Sequence, residues 1–240
     1  MGKKAGAIHK RTRGRPRLFD RSAALHQAMK LFWESGYAGT SFDDLIAVMG
    51  ISPSSFYNTF GSKERLYQEA AEAYVAKSGG WFAAELEAAT DTKTAFHRLL
   101  TAAAREFTRE DLPPGCMVSL ACTNVPPALG SLRDLMATYR CRGQAAMAER
   151  IQRGIDEGDV PANTNARALA AFYSALSRGM AVLARDGATQ DDLRQIVEIG
   201  MRAWPPTAER SAPAHRELHR RSVVQATKLH AARQGSRSSL

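Results

Sequence analysis

The stretch Thr40–Tyr67, TSFDDLIAVMGISPSSFYNTFGSKERLY, constrains the fold more than any other part of the chain. Ser41 is a good N-cap, and Asp44 three positions later completes a capping-box pattern. Leu45, Ile46, Val48 and Met49 supply the apolar side of a short helix. Gly50 follows where the chain must turn sharply, a place where glycine takes a positive φ without strain. Ile51 reads as a plug between helices. Ser52 caps the next helix, and Pro53 suits its first position, where no N–H is needed. Phe56 and Phe60, four apart, share the core face. Ser54, Ser55, Tyr57, Asn58 and Thr59 are left on the other faces, all of them short or planar hydrogen-bonding side chains without net charge. Gly61 ends the helix, Ser62 caps the next, and Glu64 sits in its positive first turn. Two short helices around a glycine turn, with a third starting at once, form the layout of a helix-turn-helix DNA reader, whose second helix enters the major groove. The uncharged polar set on that helix suits base edges and phosphate oxygens.

The rest of the chain is patterned for helices. Asp20 caps a first helix whose Leu25, Ala28, Met29 and Phe32 recur at helical spacing, and Gly36 is expected to close it. A long helix from Lys63 runs through Leu66, Ala70, Tyr74 and Val75. Ser78-Gly79-Gly80 is expected to weaken or break it before Trp81-Phe82. Asp91 to Phe107 is amphipathic, with Phe96, Leu99, Leu100 and Ala103 inward. After Pro113-Pro114-Gly115, the apolar run Cys116–Cys122 reads as a short buried helix, stopped by Pro126-Pro127. Leu132, Leu135, Met136, Tyr139, Met147 and Ile151 space out a long helix ending near Gly158. Leu169, Phe172, Tyr173, Leu176, Met180 and Leu183 alternate by three and four, a packing seam. Thr189 and Asp192 form a second capping box. Leu193, Ile196, Val197, Met201 and Trp204 line one face of the last helix, and Pro205-Pro206 ends the folded body. No segment has a strand pattern, so the expected fold is all-α.

Charge separates the body from its tails. The formal net charge is +9, yet residues 1–17 hold seven Lys or Arg and no acid. Residues 205–240 hold seven against two Glu, which leaves the stretch between them at −3. Basic tails on a DNA reader add salt-sensitive, non-specific affinity. A hydrophobic content of 44% excludes global disorder. Three cysteines make no disulfide framework at this length, and a reducing compartment is the simplest reading. The basic N-terminus is not followed by an apolar h-region, and no apolar run is long enough to span a bilayer, so a soluble cytoplasmic protein is expected, with no membrane partner. GxSxG, Walker A, HExxH and CxxC motifs are all missing, so neither an enzyme nor a cofactor is expected. His215 and His219 are four apart, a spacing a metal can use, but they lack convincing further ligands, and no metal site is assigned.

The first third resembles the N-terminal DNA-binding domain of TetR-type (TetR/AcrR) transcriptional regulators. The matching positions are Phe32, Gly36-Tyr37, Thr40-Ser41, Asp44-Leu45, Gly50-Ile51-Ser52, Phe56-Tyr57, Phe60, Ser62-Lys63-Glu64 and Leu66-Tyr67. The resemblance runs from about Arg17 to Tyr67; beyond it the chain is similar only in size and helical character. It implies a three-helix DNA-binding domain followed by a larger helical domain for effector binding and dimerisation. The expected division is a flexible basic arm at 1–17, the DNA-binding domain at 18–67, the effector and dimerisation domain at 68–204 and a disordered basic tail at 205–240. The resemblance further implies a homodimer on a palindromic operator of double-stranded DNA, acting as a bacterial, nucleoid-associated repressor released by a small-molecule effector. Ser54, Ser55, Tyr57 and Asn58 are expected in the major groove. Tyr57, Thr40, Ser41 and Lys63 are expected on phosphates. Thr59 stands where the family often has His, which puts one phosphate contact in doubt.

Four further expectations concern particular groups. Arg13-Gly14-Arg15-Pro16-Arg17 resembles the Arg-Gly-Arg-Pro core of AT-hook segments; either it lies in an A·T-rich minor groove or it is a solubilising tail. One helix-turn-helix reads few base pairs, so a paired reader is needed. The dimer seam is assigned to Leu169, Phe172, Leu176, Met180, Leu183, Leu193, Ile196, Val197 and Met201, the alternative being that these serve the protomer's own core. An apolar pocket for an apolar or aromatic effector is assigned among Trp81, Phe82, Phe96, Phe107, Cys116, Met117, Met136, Tyr139, Phe172 and Tyr173. Gly115-Cys116-Met117 resembles a segment of some TetR-type regulators, a few of which sense oxidants or electrophiles, so Cys116 is either a reactive thiol at a helix N-terminus or a small buried hydrophobe. Two rival functions stay open: a broadly acting architectural DNA binder that relies on its tails, and a small-molecule binding protein with a vestigial helix-turn-helix.

Overall fold

Local capping signals set where the helices begin. In the computed structural model, which describes residues 20–89, 91–122 and 127–206, Asp20 accepts from the backbone N–H groups of Ser22 and Ala23 and opens α1 (Arg21–Gly39). Ser41 and Asp44 close a reciprocal capping box at the head of α2 (Phe42–Met49). Gly50 takes φ 65°, ψ 36°, the left-handed turn that ends α2. Ser52 caps α3 (Pro53–Phe60), with Pro53 in its first turn, and Ser62 caps α4 (Lys63–Glu87). The order continues with α5 (Thr92–Phe107), the four-residue α6 (Met117–Leu120), a 3-10 turn at Pro127–Leu129, α7 (Gly130–Glu157), α8 (Ala166–Arg185) and α9 (Gln190–Met201). Among the described residues every regular element is helical, so the fold is all-α. Arg13, Arg15 and Arg17, the His215/His219 pair, and all of the C-terminal tail beyond Pro206 lie outside the described residues.

Two local expectations are corrected. Gly36 kinks α1 rather than closing it: its φ of 70° and ψ of 170° interrupt a helix that resumes to Gly39. The pair Gly79-Gly80 does not break α4, which runs unbroken to Glu87. The cost of each glycine against alanine is only about 1 kcal/mol. Tyr74 before the pair is buried in one core, while Leu86 after it is buried in another. Burying those side chains, with Trp81 and Phe82 packed alongside, outweighs the backbone entropy.

The helices enclose two apolar cores. In the first, Phe32, Trp33, Tyr37, Leu45, Phe56, Phe60, Leu66 and Tyr67 gather α1–α4, and Met117, Cys122, Leu132 and Met136 join them from α6, the segment after it and the start of α7. This core therefore reaches past Tyr67, and α1–α4 rest on parts of the body. In the second, Phe96, Leu99, Leu100, Met147, Ile151, Tyr173, Met180, Leu193, Val197 and Trp204 join α5, α7, α8 and α9. Phe96, Tyr173 and Trp204 form a tilted aromatic trio at its end, with centroids 5.2–5.6 Å apart. The partly buried Cys116 packs against both cores.

Candidate functional site

The site begins with the way α3 is divided. Phe56 and Phe60 face inward and are 0% and 1% exposed. Between them Tyr57 is 57% exposed, and its ring lies nearly parallel to Phe42 of α2 at 5.3 Å. That stacking fixes the ring so that its hydroxyl is presented without losing rotamer freedom on contact with a partner. Asn58 is exposed, and its amide has no hydrogen-bond partner among the described residues. Ser54 is exposed and Ser55 half-buried; the Ser52 hydroxyl lies 3.0 Å from the first and 2.9 Å from the second, drawing all three into one hydroxyl cluster. Thr59 is half-buried on the flank. The structure thus brings Ser54, Ser55, Tyr57 and Asn58 together on one uncharged, hydrogen-bonding face.

Thr40 is a correction. It is 1% exposed, and its hydroxyl donates to the Gly36 carbonyl at 2.7 Å, tying the end of α1 across its own kink. Its side chain serves that turn and offers nothing to a phosphate. Ser41 is exposed, but its hydroxyl caps α2 through Asp44, which holds the Asp44 carboxyl below the usual carboxylate range. The Lys63 ammonium donates to the Thr40 carbonyl and lies 4.3 Å over the Tyr37 ring. This uses one of its three N–H groups and leaves two. Burial lowers its pKa. The Tyr37 hydroxyl donates to Glu64 at 2.5 Å; burial first, and that bond second, push the phenol up and keep it a neutral donor. This cluster pins the head of α4 to α1, and so fixes the angle at which α3 is held out.

A cavity of about 330 Å³ opens behind this unit, between α4, α5, α7 and α8. Of the expected pocket residues, Trp81, Phe82, Phe107, Cys116 and Tyr139 line it. The other five do not. Met117 and Met136 are packed into the first core, Phe96 and Tyr173 into the second, and Phe172 is 43% exposed on the outside of α8. Periodicity marks a residue as apolar-facing but cannot say which of two cavities or cores it faces. The wall also contains Tyr74, whose hydroxyl donates to the Cys116 sulfur at 3.3 Å, and the arginines Arg140, Arg142 and Arg178. Sequence reasoning missed these arginines; the one signal was Arg178 lying within an apolar seam.

The expected dimer seam divides in the same way. Met180, Leu193, Val197 and Met201 are buried in the protomer's own second core, and Leu169, Leu176 and Ile196 are partly buried against it. Phe172 and Leu183 are exposed at 43% and 41%, joined by Val182 at 47% and Ile199 at 63%, two residues the sequence reading left out. Helix α8 carries two apolar stripes, and the seam assigned from sequence mixed them. Among the described residues no group of three His, Cys, Asp or Glu is placed to hold a metal, and no helix is long and apolar enough to cross a membrane.

A kinked first helix, a capped helix-turn-helix with a polar outer face and a helical body with an internal cavity define a helix-turn-helix transcription regulator. The pattern of "Bacterial regulatory proteins, tetR family" matches residues 24–70, and that of "Tetracyclin repressor-like, C-terminal domain" matches residues 95–199. The chain belongs to the TetR family of transcriptional regulators. It is 32% identical over 201 residues to the HTH-type transcriptional repressor ComR of Escherichia coli (strain K12), covering 82% of this chain and 94% of that protein. Among solved structures it is similar to a cysteine mutant of the TetR family regulator CifR in complex with a 26bp double-strand operator DNA. That likeness has a TM-score of 0.77 at 38% identity, over 80% of this chain and 100% of that one. A TetR regulator from Chloroflexus aurantiacus J-10-FL has a TM-score of 0.66 at 26% identity, over 76% of this chain and 92% of that one.

Proposed function

We propose that the protein is a homodimeric repressor that occupies a palindromic operator through α3 and leaves it when an effector fills the cavity. The observation that carries this reading is the exposed face of α3, with Tyr57 held out by Phe42 and the Asn58 amide unpartnered. A polar face of this kind fits a major groove, with Ser54, Ser55 and Asn58 on base edges and Tyr57 and Lys63 on phosphates. The outward stripe of Phe172, Val182, Leu183 and Ile199 suits a two-fold partner that places the second reader on the second half-site. Residues 18–67 act as the reader and 68–204 as the sensing and pairing unit, working in the cytoplasm where operator DNA lies.

Release needs a mechanical link, and three features supply one. Helix α4 runs unbroken from the reader to the cavity wall at Tyr74, Trp81 and Phe82. The Arg185 guanidinium at the end of α8 donates to the Trp33 carbonyl at 2.5 Å and the Glu34 carbonyl at 2.9 Å on α1. Lys30 of α1 donates to the Asp111 carbonyl at 3.0 Å. An effector that binds better to the arrangement with displaced α4 shifts the population off DNA by its difference in affinity between the two arrangements.

Two substitutions test the reader. Asn58→Ala should cost on the order of 1–3 kcal/mol at one operator position and leave binding to other DNA unchanged. Lys63→Ala should weaken binding to every sequence and flatten the slope of log affinity against log salt by roughly one unit. Both are read by titrating labelled DNA from upstream of the protein's own gene. A uniform loss with Asn58→Ala would move that residue to the phosphates, and an unchanged salt slope would remove Lys63 from the contacts. If the wild-type protein fails to shift that DNA above its affinity for random duplex, the assignment of α3 as a specific reader falls.

A further inference from the structure

We infer that the effector is an amphipathic anion, with an apolar body against Trp81, Phe82 and Phe107 and an acidic head group held by Arg178 and Arg140. This rests on the reading of the cavity as the effector site and names the chemistry of its occupant. The apolar side is ordinary for a ligand cavity. The polar side is not, because all of its charge has one sign.

Arginines 140, 142 and 178 line the cavity, and no aspartate or glutamate does. None of the three makes an ion pair with a carboxylate among the described residues. Arg140 is half-buried and anchored: it donates to the carbonyls of Val118 at 2.9 Å and Ala121 at 3.0 Å. Those neutral acceptors orient the guanidinium but do not neutralise it. Burial is the main influence lowering its pKa, and the nearby positive charge of Arg178 adds to it. Two guanidinium groups from different helices therefore line one partly desolvated space whose wall holds no acid. That arrangement is costly when empty and is relieved by an anion, which guanidinium groups bind through paired N–H donors. Ser174 supplies an independent sign. It is only 7% exposed, it lines the same cavity, and its hydroxyl has no partner among the described residues. A hydroxyl that faces the cavity without a protein partner is free to bond a ligand oxygen.

The chemistry fits a carboxylate, sulfonate or phosphate on an aromatic or alkyl body small enough for about 330 Å³. A matched pair of fluorescent probes tests it: 1-anilinonaphthalene-8-sulfonate, and N-phenyl-1-naphthylamine, which keeps the aromatic body without the sulfonate. Each is titrated against the full chain, with energy transfer from Trp81 (lost in Trp81→Phe) marking occupancy of this cavity. The wild-type protein should bind the sulfonate about tenfold tighter than the neutral probe. Arg178→Gln should weaken the sulfonate about tenfold and change the neutral probe less than about twofold, whereas Arg178→Lys should keep most of the preference. The Arg178 side chain makes no hydrogen bond or ion pair among the described residues, so this substitution should leave the fold intact. Equal binding of the two probes, or an equal loss of both in Arg178→Gln, would overturn the anionic head group while leaving the cavity as a binding site. No Trp81-dependent binding of either probe would overturn the cavity reading and this inference together.

Discussion

Gly154→Ala should lower the melting temperature by about 6–12 °C, the shift that a loss of about 3 kcal/mol produces in a domain of this size. A Cβ at this position would press into the Thr92 hydroxyl and an Asp159 carboxylate oxygen, closer than real side chains approach, and would stand 2.9 Å from Val160. Those two groups are the middle of a buried polar network. The Thr92 hydroxyl donates to Asp159 at 2.8 Å, the Thr92 backbone N–H donates to the same carboxylate at 2.9 Å, and Arg150 donates to the Thr92 oxygen and, at 3.1 Å, to the Leu86 carbonyl. The network joins the end of α4, the start of α5, α7 and the loop after it. Arg150 is 4% exposed, so parting it from Thr92 leaves a buried charge with one fewer acceptor. Thermal unfolding followed by circular dichroism measures the effect. A change below about 1 kcal/mol would mean that the loop at Asp159 moves aside and the network does not hold the junction.

Phe172→Asp should turn the proposed dimer into a monomer and weaken operator binding by about 10²-fold or more, since the second half-site then no longer adds to the first. In the protomer Phe172 is 43% exposed, so an aspartate there remains solvated and should cost the protomer's own fold no more than about 0.5 kcal/mol of stability. In the proposed interface the same aspartate would be buried against Val182, Leu183 and Ile199 without a partner, a cost that a helix-pair interface cannot absorb. Exposed Ala168, Ala171, Ala175 and Gly179 on the same side of α8 allow a partner helix to come close. Sedimentation and operator titration measure the two effects together. A variant that stays dimeric would place the two-fold axis on another surface, and a monomer with unchanged operator affinity would end the two-half-site reading.

The reader unit was legible because its information is local. Asp20, Ser41 with Asp44, Gly50, Ser52 with Pro53, and Ser62 each act within four residues of themselves, and each takes its expected role in the structure. Phe56 and Phe60, at one helical spacing, could only face the same way. The same locality explains the errors. Two glycines looked like the end of α4 because the packing of Leu86, which holds that helix, depends on residues of α5 and α7. Thr40 looked like a phosphate ligand because nothing in its neighbours reveals that the kink at Gly36 turns a carbonyl toward its hydroxyl.

Sequence alone determined the helical class, where the first four helices begin and the polar composition of α3, because caps, turn glycines and helical periodicity are short-range physics. Only the tertiary structure decided how the apolar residues of the body are shared among a core, a cavity and an outer face. It put Phe96 and Tyr173 in the core, Trp81 and Tyr139 at the cavity and Phe172 outside. It also brought Arg140 and Arg178, thirty-eight positions apart, to one wall without an acid between them. Periodicity reports that a side chain avoids water, but its partner is set by how helices far apart in sequence cross, and that crossing is a property of the whole packed chain.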